Sequence, residues 1–426
     1  MKRGSFLLMF FCAGVVFPAT LTLSLEDAID RGIENSLSLK KSLIDLSTAE
    51  YSAGKLWSEV FPTISAGLGA SYSSSLFSGG GFQASRDNGS FNANLGVSLT
   101  LNAGIPYAIK NIELAYQTQL LSYEDARNQL EIQLTKSFYG LIADRDNLIV
   151  LADILNLTLM QYERNQVAFR NGVIGELTLL QSRLSMENAH YNMDVAQVAY
   201  VSRMSDFLEQ IGFAHDADVV LEGKIETAKL NLDADSLILQ NLPRRPDIVS
   251  MRYEIERLEN VQKQTVNSAR APSLSLSTTW RSSDFSPFTD SLGGSATLSI
   301  PIDPWIPGTS RNKTIRNTHT AIDKARIDLQ SASVSASAQI RSLAAYINNS
   351  WSSIEIARLS LAISERNYAL AEQGFRAGTV ESLRLENAQN DLAYARQRLL
   401  QSELSYFNMV LDISAALNIS WKELMQ

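Results

Sequence analysis

Ala168-Phe169-Arg170-Asn171-Gly172-Val173 is the stretch that decides the fold, because it recurs in the second half of the chain as Gly374-Phe375-Arg376-Ala377-Gly378-Thr379. The sequence further upstream repeats as well, since Phe61-Pro62-Thr63-Ile64-Ser65 is matched by Ala271-Pro272-Ser273-Leu274-Ser275. Each copy predicts the same order of elements: a helix, two short strands, a very long helix, a turn with glycine, and another helix. One copy leaves its apolar faces uncovered, so the pattern favours repeats packed side by side.

The N-terminus predicts an export signal over residues 1–19. Two basic residues precede an apolar run that ends at Phe17 and is too short to span a bilayer. Ala19 is a small residue suited to cleavage; the alternative is a buried N-terminal segment. The remainder divides into a first repeat, residues 20–232, and a second repeat, residues 233–426.

The single cysteine, Cys12, lies inside the predicted signal. A lipid-anchored start needs a small residue before the cysteine, and Phe11 occupies that place, so lipidation is disfavoured. A mature chain without cysteine has neither disulfides nor thiol chemistry.

Composition argues against several function classes. The chain has 37 Lys and Arg against 45 Asp and Glu and no basic clusters, which argues against nucleic-acid binding. None of its three histidines lies at metal-ligand spacing from another histidine or from the cysteine. No phosphate-binding loop or nucleophile elbow is present. We therefore expect no enzyme activity, no cofactor and no metal.

Proline and glycine spacing predicts two very long helices. Residues 107–171 contain no proline and one glycine, and residues 309–373 contain neither. Each stretch is roughly 98 Å long as helix, at about 1.5 Å per residue. The second stretch carries a coiled-coil seam with 3-4 spacing and one stutter. Small residues in this seam favour an array of closely packed helices; the alternative is an ordinary two-stranded coiled coil. The seam residues are Ile322, Ala325, Leu329, Ala332, Ala336, Ile340, Leu343, Ile347, Ser350, Ile354, Ala357, Leu361, Ser364, Tyr368, Ala371 and Phe375.

Four segments alternate with a period of two and predict strands: residues 64–73, 91–101, 273–280 and 293–302. One face of each is apolar, and the other consists of Ser, Thr, Asn and Gly. Their length matches a tilted strand that crosses a membrane. Loops rich in Gly, Ser and Asp are predicted at residues 74–90 and 282–291.

These strands predict an oligomer. A sheet in lipid must close, and four strands are too few to close a barrel. Two chains would supply eight strands and three would supply twelve, and the small polar face favours the wider, wet lumen of a trimer. The alternative is a soluble sheet covered by helices. Aromatic residues at strand ends are predicted to lie at the membrane interface: Tyr72, Phe91, Trp280 and Trp305.

The predicted fold is mainly α, with long coiled-coil helices, a small membrane β-barrel to which each chain contributes four β-strands, and two internal repeats. Together these features resemble the TolC family of outer-membrane efflux proteins, over about residues 22–421. The resemblance also rests on Phe375-Arg376-Ala377-Gly378-Thr379 with Ala388 following, on Arg245-Pro246-Asp247-Ile248, and on Pro301-Ile302-Asp303-Pro304-Trp305.

The resemblance implies a homotrimer with a twelve-stranded barrel in the outer membrane and a helical tunnel through the periplasm. Such a protein is a passive exit duct of a tripartite efflux or type I secretion system. It works with a periplasmic adaptor (membrane fusion) protein and an inner-membrane transporter.

By the same resemblance, the adaptor docks at the helical turns, here Gly172-Val173 and Gly378-Thr379. The positions that narrow the periplasmic end are Thr178, Gln181, Arg384 and Asn387. None of these four is acidic, so an acidic ring is not expected; Arg384 is predicted to hold a closed state by pairing with a carboxylate.

Two other classes remain open on the residues alone. A secreted coiled-coil structural protein or adhesin would explain the signal and the long helices, but not the four strands at matching sites. A porin would require many more strands. The cargo, the pump and adaptor, and the state of the gate are not readable from the sequence.

Overall fold

The computed structural model describes residues 21–73, 88–215, 217–283 and 290–425. The predicted signal at residues 1–19, with Cys12, and most of both predicted loops lie outside these residues.

Both halves of the chain follow the predicted order of elements. The first contains β1 (Leu21–Leu23), α1 (Leu25–Asn35), α2 (Leu37–Ala53), β2 (Thr63–Ser73), β3 (Asn88–Leu101), α3 (Ile105–Arg170), α4 (Glu176–Gln210) and β4 (Val219–Leu221). The second contains α5 (Ala234–Asn241), α6 (Pro246–Arg270), β5 (Ser273–Ser283), β6 (Ser291–Ser299), α7 (Ser310–Arg376), α8 (Ser382–Leu417) and α9 (Trp421–Leu424).

The structure adds three features to the predicted pattern. The first helix of each copy is interrupted, at Ser36 in one copy and at residues 242–245 in the other. Strands β1 and β4 form a separate parallel pair, in addition to the four predicted strands. They were not predicted because three residues are too few to show a period of two. Strand β3 also begins three residues earlier than expected, at Asn88.

The two long helices are confirmed. Helix α3 has 66 residues and α7 has 67. All the predicted seam residues of α7 are buried or half-buried, whereas Ile327 and Val334, which lie outside the seam, are exposed. No helix in the described part of the chain is both long enough and apolar enough to cross a membrane.

The chain folds into two compact units, and each unit takes residues from both predicted repeats. The first unit comprises the described residues of Met1–Lys40, Ala126–Leu239 and Gln339–Gln426. One apolar cluster in it joins β1, α1 and β4 to the middle of α3 and the end of α4, around Phe138, Ile142 and Phe207. A second joins α7 to α8 around Ile340 and Tyr406.

Polar contacts reinforce the first unit. The Tyr406 hydroxyl donates to the Ala228 carbonyl at 2.7 Å and accepts from the Leu230 amide at 3.1 Å, which attaches the extended segment before α5 to α8. Arg203 Nη1 lies 2.9 Å from Asp144 Oδ2. Burial raises the pKa of the Asp144 carboxyl above its ordinary value of 3.8, and the Arg203 charge offsets this only in part.

The second unit comprises Lys41–Asp125 and Gln240–Ala338, as far as they are described. It contains the four-stranded antiparallel sheet, in the order β2-β3-β5-β6. Next to the sheet, Asn260 of α6 donates to the Tyr107 carbonyl of α3 at 2.7 Å. The Arg245-Pro246-Asp247-Ile248 motif starts α6: proline takes the first helical position, Arg245 pairs with Asp247 at 2.9 Å, and Ile248 is buried.

Candidate functional site

The two repeated turns have the same backbone geometry. The Val173 amide donates to the Ala168 carbonyl and the Gly172 amide to the Phe169 carbonyl, both at 2.9 Å. This pair of bonds is a Schellman motif, which satisfies the last carbonyls of helix α3. The second turn repeats it, because Thr379 bonds to Gly374 at 2.9 Å and Gly378 bonds to Phe375 at 3.0 Å.

Backbone conformation alone favours glycine at both turns. Gly172 and Gly378 each have φ of +71°, in the left-handed region that L side chains avoid. A Cβ added at either glycine would meet no atom within 4 Å. The space around both turns is therefore open.

Gly374 has a different role in the second turn. A Cβ at this position would lie 2.5 Å from Val380 Cγ2, so the missing side chain lets the loop fold back over the end of α7. The first copy has Ala168 at the matching position. The two turns thus share a backbone but differ in side-chain packing.

A shallow groove of about 510 Å³ lies beside the first turn. Its lining is Glu163, Arg164, Val167, Ala168, Asn171 and Val173. The Val173 side chain is 74% exposed, and Thr379 at the matching position donates its hydroxyl to the Gly374 carbonyl at 3.1 Å. The four predicted docking residues thus lie at the tips of the two helical hairpins.

Contacts between the two hairpins lie close to these turns. The Arg164 guanidinium of α3 lies 5.8 Å from the ring centre of Phe375 in α7. Ser185 of α4 donates to Glu386 Oε1 of α8 at 3.1 Å. Tyr368 and Phe375 pack against a small apolar cluster that contains Ala388. The sequence did not predict these pairs, because residue spacing does not reveal which faces of separate hairpins meet.

The four predicted gate residues occupy matching places. Thr178 and Gln181 lie in the first turns of α4, and Arg384 and Asn387 lie in the first turns of α8. All four side chains are exposed. Within the described part of the single chain, no carboxylate lies at ion-pair distance from Arg384. Glu386 is turned away toward Ser185, as its hydrogen bond requires.

The sheet has one apolar and one polar face, and the register keeps them in phase across all four strands. Ala66, Leu95 and Trp280 form one cross-strand row. Gly67, Asn94 and Arg281 form the adjacent row on the opposite face. The apolar face is largely exposed in the single chain: Ile64, Leu68, Leu95, Leu292 and Leu298 are all exposed.

The predicted interfacial aromatics lie at strand ends or just beyond. Phe91 and Trp280 are exposed on the apolar face, toward the loop ends of β3 and β5. Trp305 lies in the segment between β6 and α7 and is 63% exposed, with the Arg270 guanidinium 4.7 Å from its ring centre. Tyr72 belongs to β2, but its side chain lies outside the described part of the structure.

Within the described ranges, no group of three or more His, Cys, Asp and Glu side chains is placed to hold a metal ion. The arrangement instead offers two helical turns with open surroundings and a thin sheet with one exposed apolar face.

Comparison with known proteins identifies what shares this architecture. The Campylobacter jejuni CmeC outer membrane channel is 17% identical, with a TM-score of 0.77 over 92% of this chain and 85% of that chain. VceC, an outer membrane protein of Vibrio cholerae, is 15% identical, with a TM-score of 0.71 over 93% of this chain and 96% of that chain. The open state of the Neisseria gonorrhoeae MtrE outer membrane channel is 16% identical, with a TM-score of 0.74 over 93% and 89% of the two chains.

These similarities establish the fold, a TolC-like arrangement of long helices and strands. A search of curated proteins found no significant match. The family model described as "Outer membrane efflux protein" matches residues 28–201 and 237–418, which is most of the chain and covers part of each predicted repeat. The predicted outer-membrane location, periplasmic helical tunnel and role as an efflux channel are thereby confirmed. The chain belongs to the outer membrane efflux protein family.

Proposed function

We propose that three copies of this chain close into one passive duct, which carries substrates from a periplasmic adaptor and an inner-membrane transporter to the exterior. Members of this family work with such an adaptor and pump. The proposal of a trimer rests on one observation: the four-stranded sheet has one apolar face, one polar face and two open edges. Strands β2 and β6 form those edges, and an open edge in lipid leaves backbone donors and acceptors unpaired.

The strand directions support closure by identical copies. Neighbouring strands are antiparallel throughout, so β2 and β6 run in opposite directions. Strand β6 of one copy can therefore pair antiparallel with β2 of the next, and repetition of this contact closes a ring. Three copies provide twelve strands with the apolar face toward lipid and the polar face toward the lumen. Two copies provide eight, and the interior of such a barrel is filled by its own side chains.

A charge placed on each face tests the lipid assignment. Leu68 lies in the middle of β2 on the apolar face and is 84% exposed, while Ser65 lies on the opposite face of the same strand. In a bilayer, Leu68→Arg costs about 2–4 kcal/mol per chain near the midplane. We expect Leu68→Arg to abolish trimers in the outer-membrane fraction and Ser65→Arg to preserve them. Equal membrane yields for the two variants would contradict the proposed barrel.

The adaptor is proposed to dock at Gly172-Val173 and Gly378-Thr379. The open space around both glycines and the groove beside Val173 support this assignment. A photo-crosslinking residue in place of Val173 or Thr379 is expected to capture the adaptor in cells, whereas one in place of exposed Ser331 is not. If the adaptor were captured at Ser331 and at neither turn, the docking site would not be at the turns.

Arg384 is proposed to hold the closed end of the tunnel by pairing with a carboxylate of a neighbouring copy. The support is its exposed position near the turn and its unpaired state in the single chain, as far as the chain is described. Arg384→Glu is then expected to raise the conductance of single channels in a planar bilayer, and Arg384→Lys to leave it close to that of the unmodified protein. Unchanged conductance in Arg384→Glu would remove this residue from the gate.

A further inference from the structure

The four long strands carry a single charged residue, Arg281. Strands β2, β3 and β6 consist of apolar residues, Ser, Thr, Asn, Gly and Tyr only, and β5 adds the one arginine. The sheet contains no acidic residue that could pair with this arginine, so an ion pair within the sheet does not explain its presence. What Arg281 can do depends on its position in the register.

The register places Arg281 on the polar face. It pairs with Asn94 of β3 and with Ser291 of β6, while its neighbour Trp280 pairs with Leu95 on the apolar face. Arg281 lies near the loop end of β5, where an arginine on the lipid-facing surface would cost up to about 1 kcal/mol. The polar face avoids this penalty, because it leaves the guanidinium in water.

The surroundings of Arg281 leave room for its long side chain. In the next row of the polar face, Thr279 is flanked by two glycines, Gly96 on β3 and Gly293 on β6. Arg281 itself is exposed, and no carboxylate of the described residues lies at ion-pair distance from it. Asp290 precedes the partner residue Ser291 but forms no such pair. The charge is thus not neutralised within the sheet.

We propose that Arg281 makes the outer part of the duct a selection site for anions, a role that rests on the proposed trimer. Threefold symmetry puts three guanidiniums at one height in the lumen, two residues before the loop end of β5. Rings of Arg or Lys are how pores favour anions, and the summed potential of three like charges raises the local concentration of anions. The ligand class is anionic: chloride as the simplest ion, and multivalent anions or anionic cargo with greater effect.

Ion selectivity and anion block in planar bilayers test this role. Under a KCl gradient, the reversal potential of the unmodified channel is expected to lie further toward the chloride potential than that of Arg281→Gln. Hexacyanoferrate(II), which carries four negative charges, is expected to block the unmodified channel at about tenfold lower concentration than Arg281→Gln. Arg281→Lys keeps the charge and should behave as the unmodified channel.

The matched control is Thr279→Gln, which adds bulk to the same polar face without a change in charge. It should alter conductance but neither the reversal potential nor the block. The inference is overturned if Arg281→Gln forms channels with the selectivity and block of the unmodified protein. If the unmodified protein forms no channels at all, the proposed duct is wrong, and the role of Arg281, which depends on it, is wrong as well.

Discussion

Replacing Gly172 by alanine tests whether the backbone alone demands glycine at the helical turns. Gly172 has φ of +71°, and an added Cβ would touch nothing within 4 Å, so the change introduces no clash. The cost is the conformational one, about 1–2 kcal/mol for an L-residue in the left-handed region. It falls on the end of α3, where the Gly172 and Val173 amides close the turn.

The same substitution elsewhere in α3 should act in the opposite direction. Gly140 lies inside the helix, and a Cβ there also meets nothing within 4 Å. Alanine at Gly140 is expected to stabilise the helix by about 0.5–1 kcal/mol, because glycine loses more backbone freedom on folding. Gly172→Asn should restore much of the loss, since asparagine tolerates this region and Asn418 already adopts φ of +54° at the end of α8.

Hydrogen exchange read by mass spectrometry on the full-length protein in nanodiscs measures these effects. For Gly172→Ala, peptides that span residues 165–175 should exchange about 5–30 times faster, the factor that corresponds to 1–2 kcal/mol. For Gly140→Ala, peptides around residue 140 should exchange more slowly. The reasoning is refuted if Gly172→Ala leaves exchange unchanged, or if the two alanine variants shift exchange in the same direction.

Three further outcomes follow from the first unit. Ile340→Ala removes a side chain with no exposed surface from the cluster between α7 and α8; the expected loss of about 2–5 kcal/mol should lower the temperature at which the protein unfolds in detergent, followed by circular dichroism. Tyr406→Phe leaves a carbonyl and an amide without their hydrogen-bond partner. The expected loss of stability is about 1–3 kcal/mol, which should speed proteolysis within residues 222–232. Because burial raises the pKa of Asp144, its contribution to stability is present at low pH and is lost as pH rises above 3.8. Asp144→Asn should therefore make the unfolding temperature depend less on pH between pH 4 and pH 7, and an unchanged pH dependence would contradict this account.

Sequence patterns predicted the elements of this protein because each pattern is local. Residues 309–373 contain neither proline nor glycine, and their apolar residues recur with 3-4 spacing, which together predict one long helix. The alternation in residues 64–73 predicts a strand and its two faces, since side chains of a strand point to opposite sides. The recurrence of Phe-Arg-x-Gly predicts both turns, because few residues other than glycine accept the left-handed conformation that ends a helix.

Those patterns did not predict contacts between segments that are far apart in the sequence. Nothing in the sequence indicates that Ser185 meets Glu386, or that Arg164 lies over Phe375, because such pairs depend on how separate hairpins face one another. The parallel pair of β1 and β4 was also missed, since its strands are three residues long and far apart in the chain.

The chain alone determined the lengths of the helices, the faces of the strands and the place of each turn, because these follow from backbone preferences and the spacing of apolar residues. Tertiary structure alone decided the order of the strands and the register that puts Arg281 in one row with Asn94 and Ser291. A shift of one residue would have put that charge in one row with apolar residues of β3. Register depends on packing and hydrogen bonds between segments, and these exist only once the chain has folded.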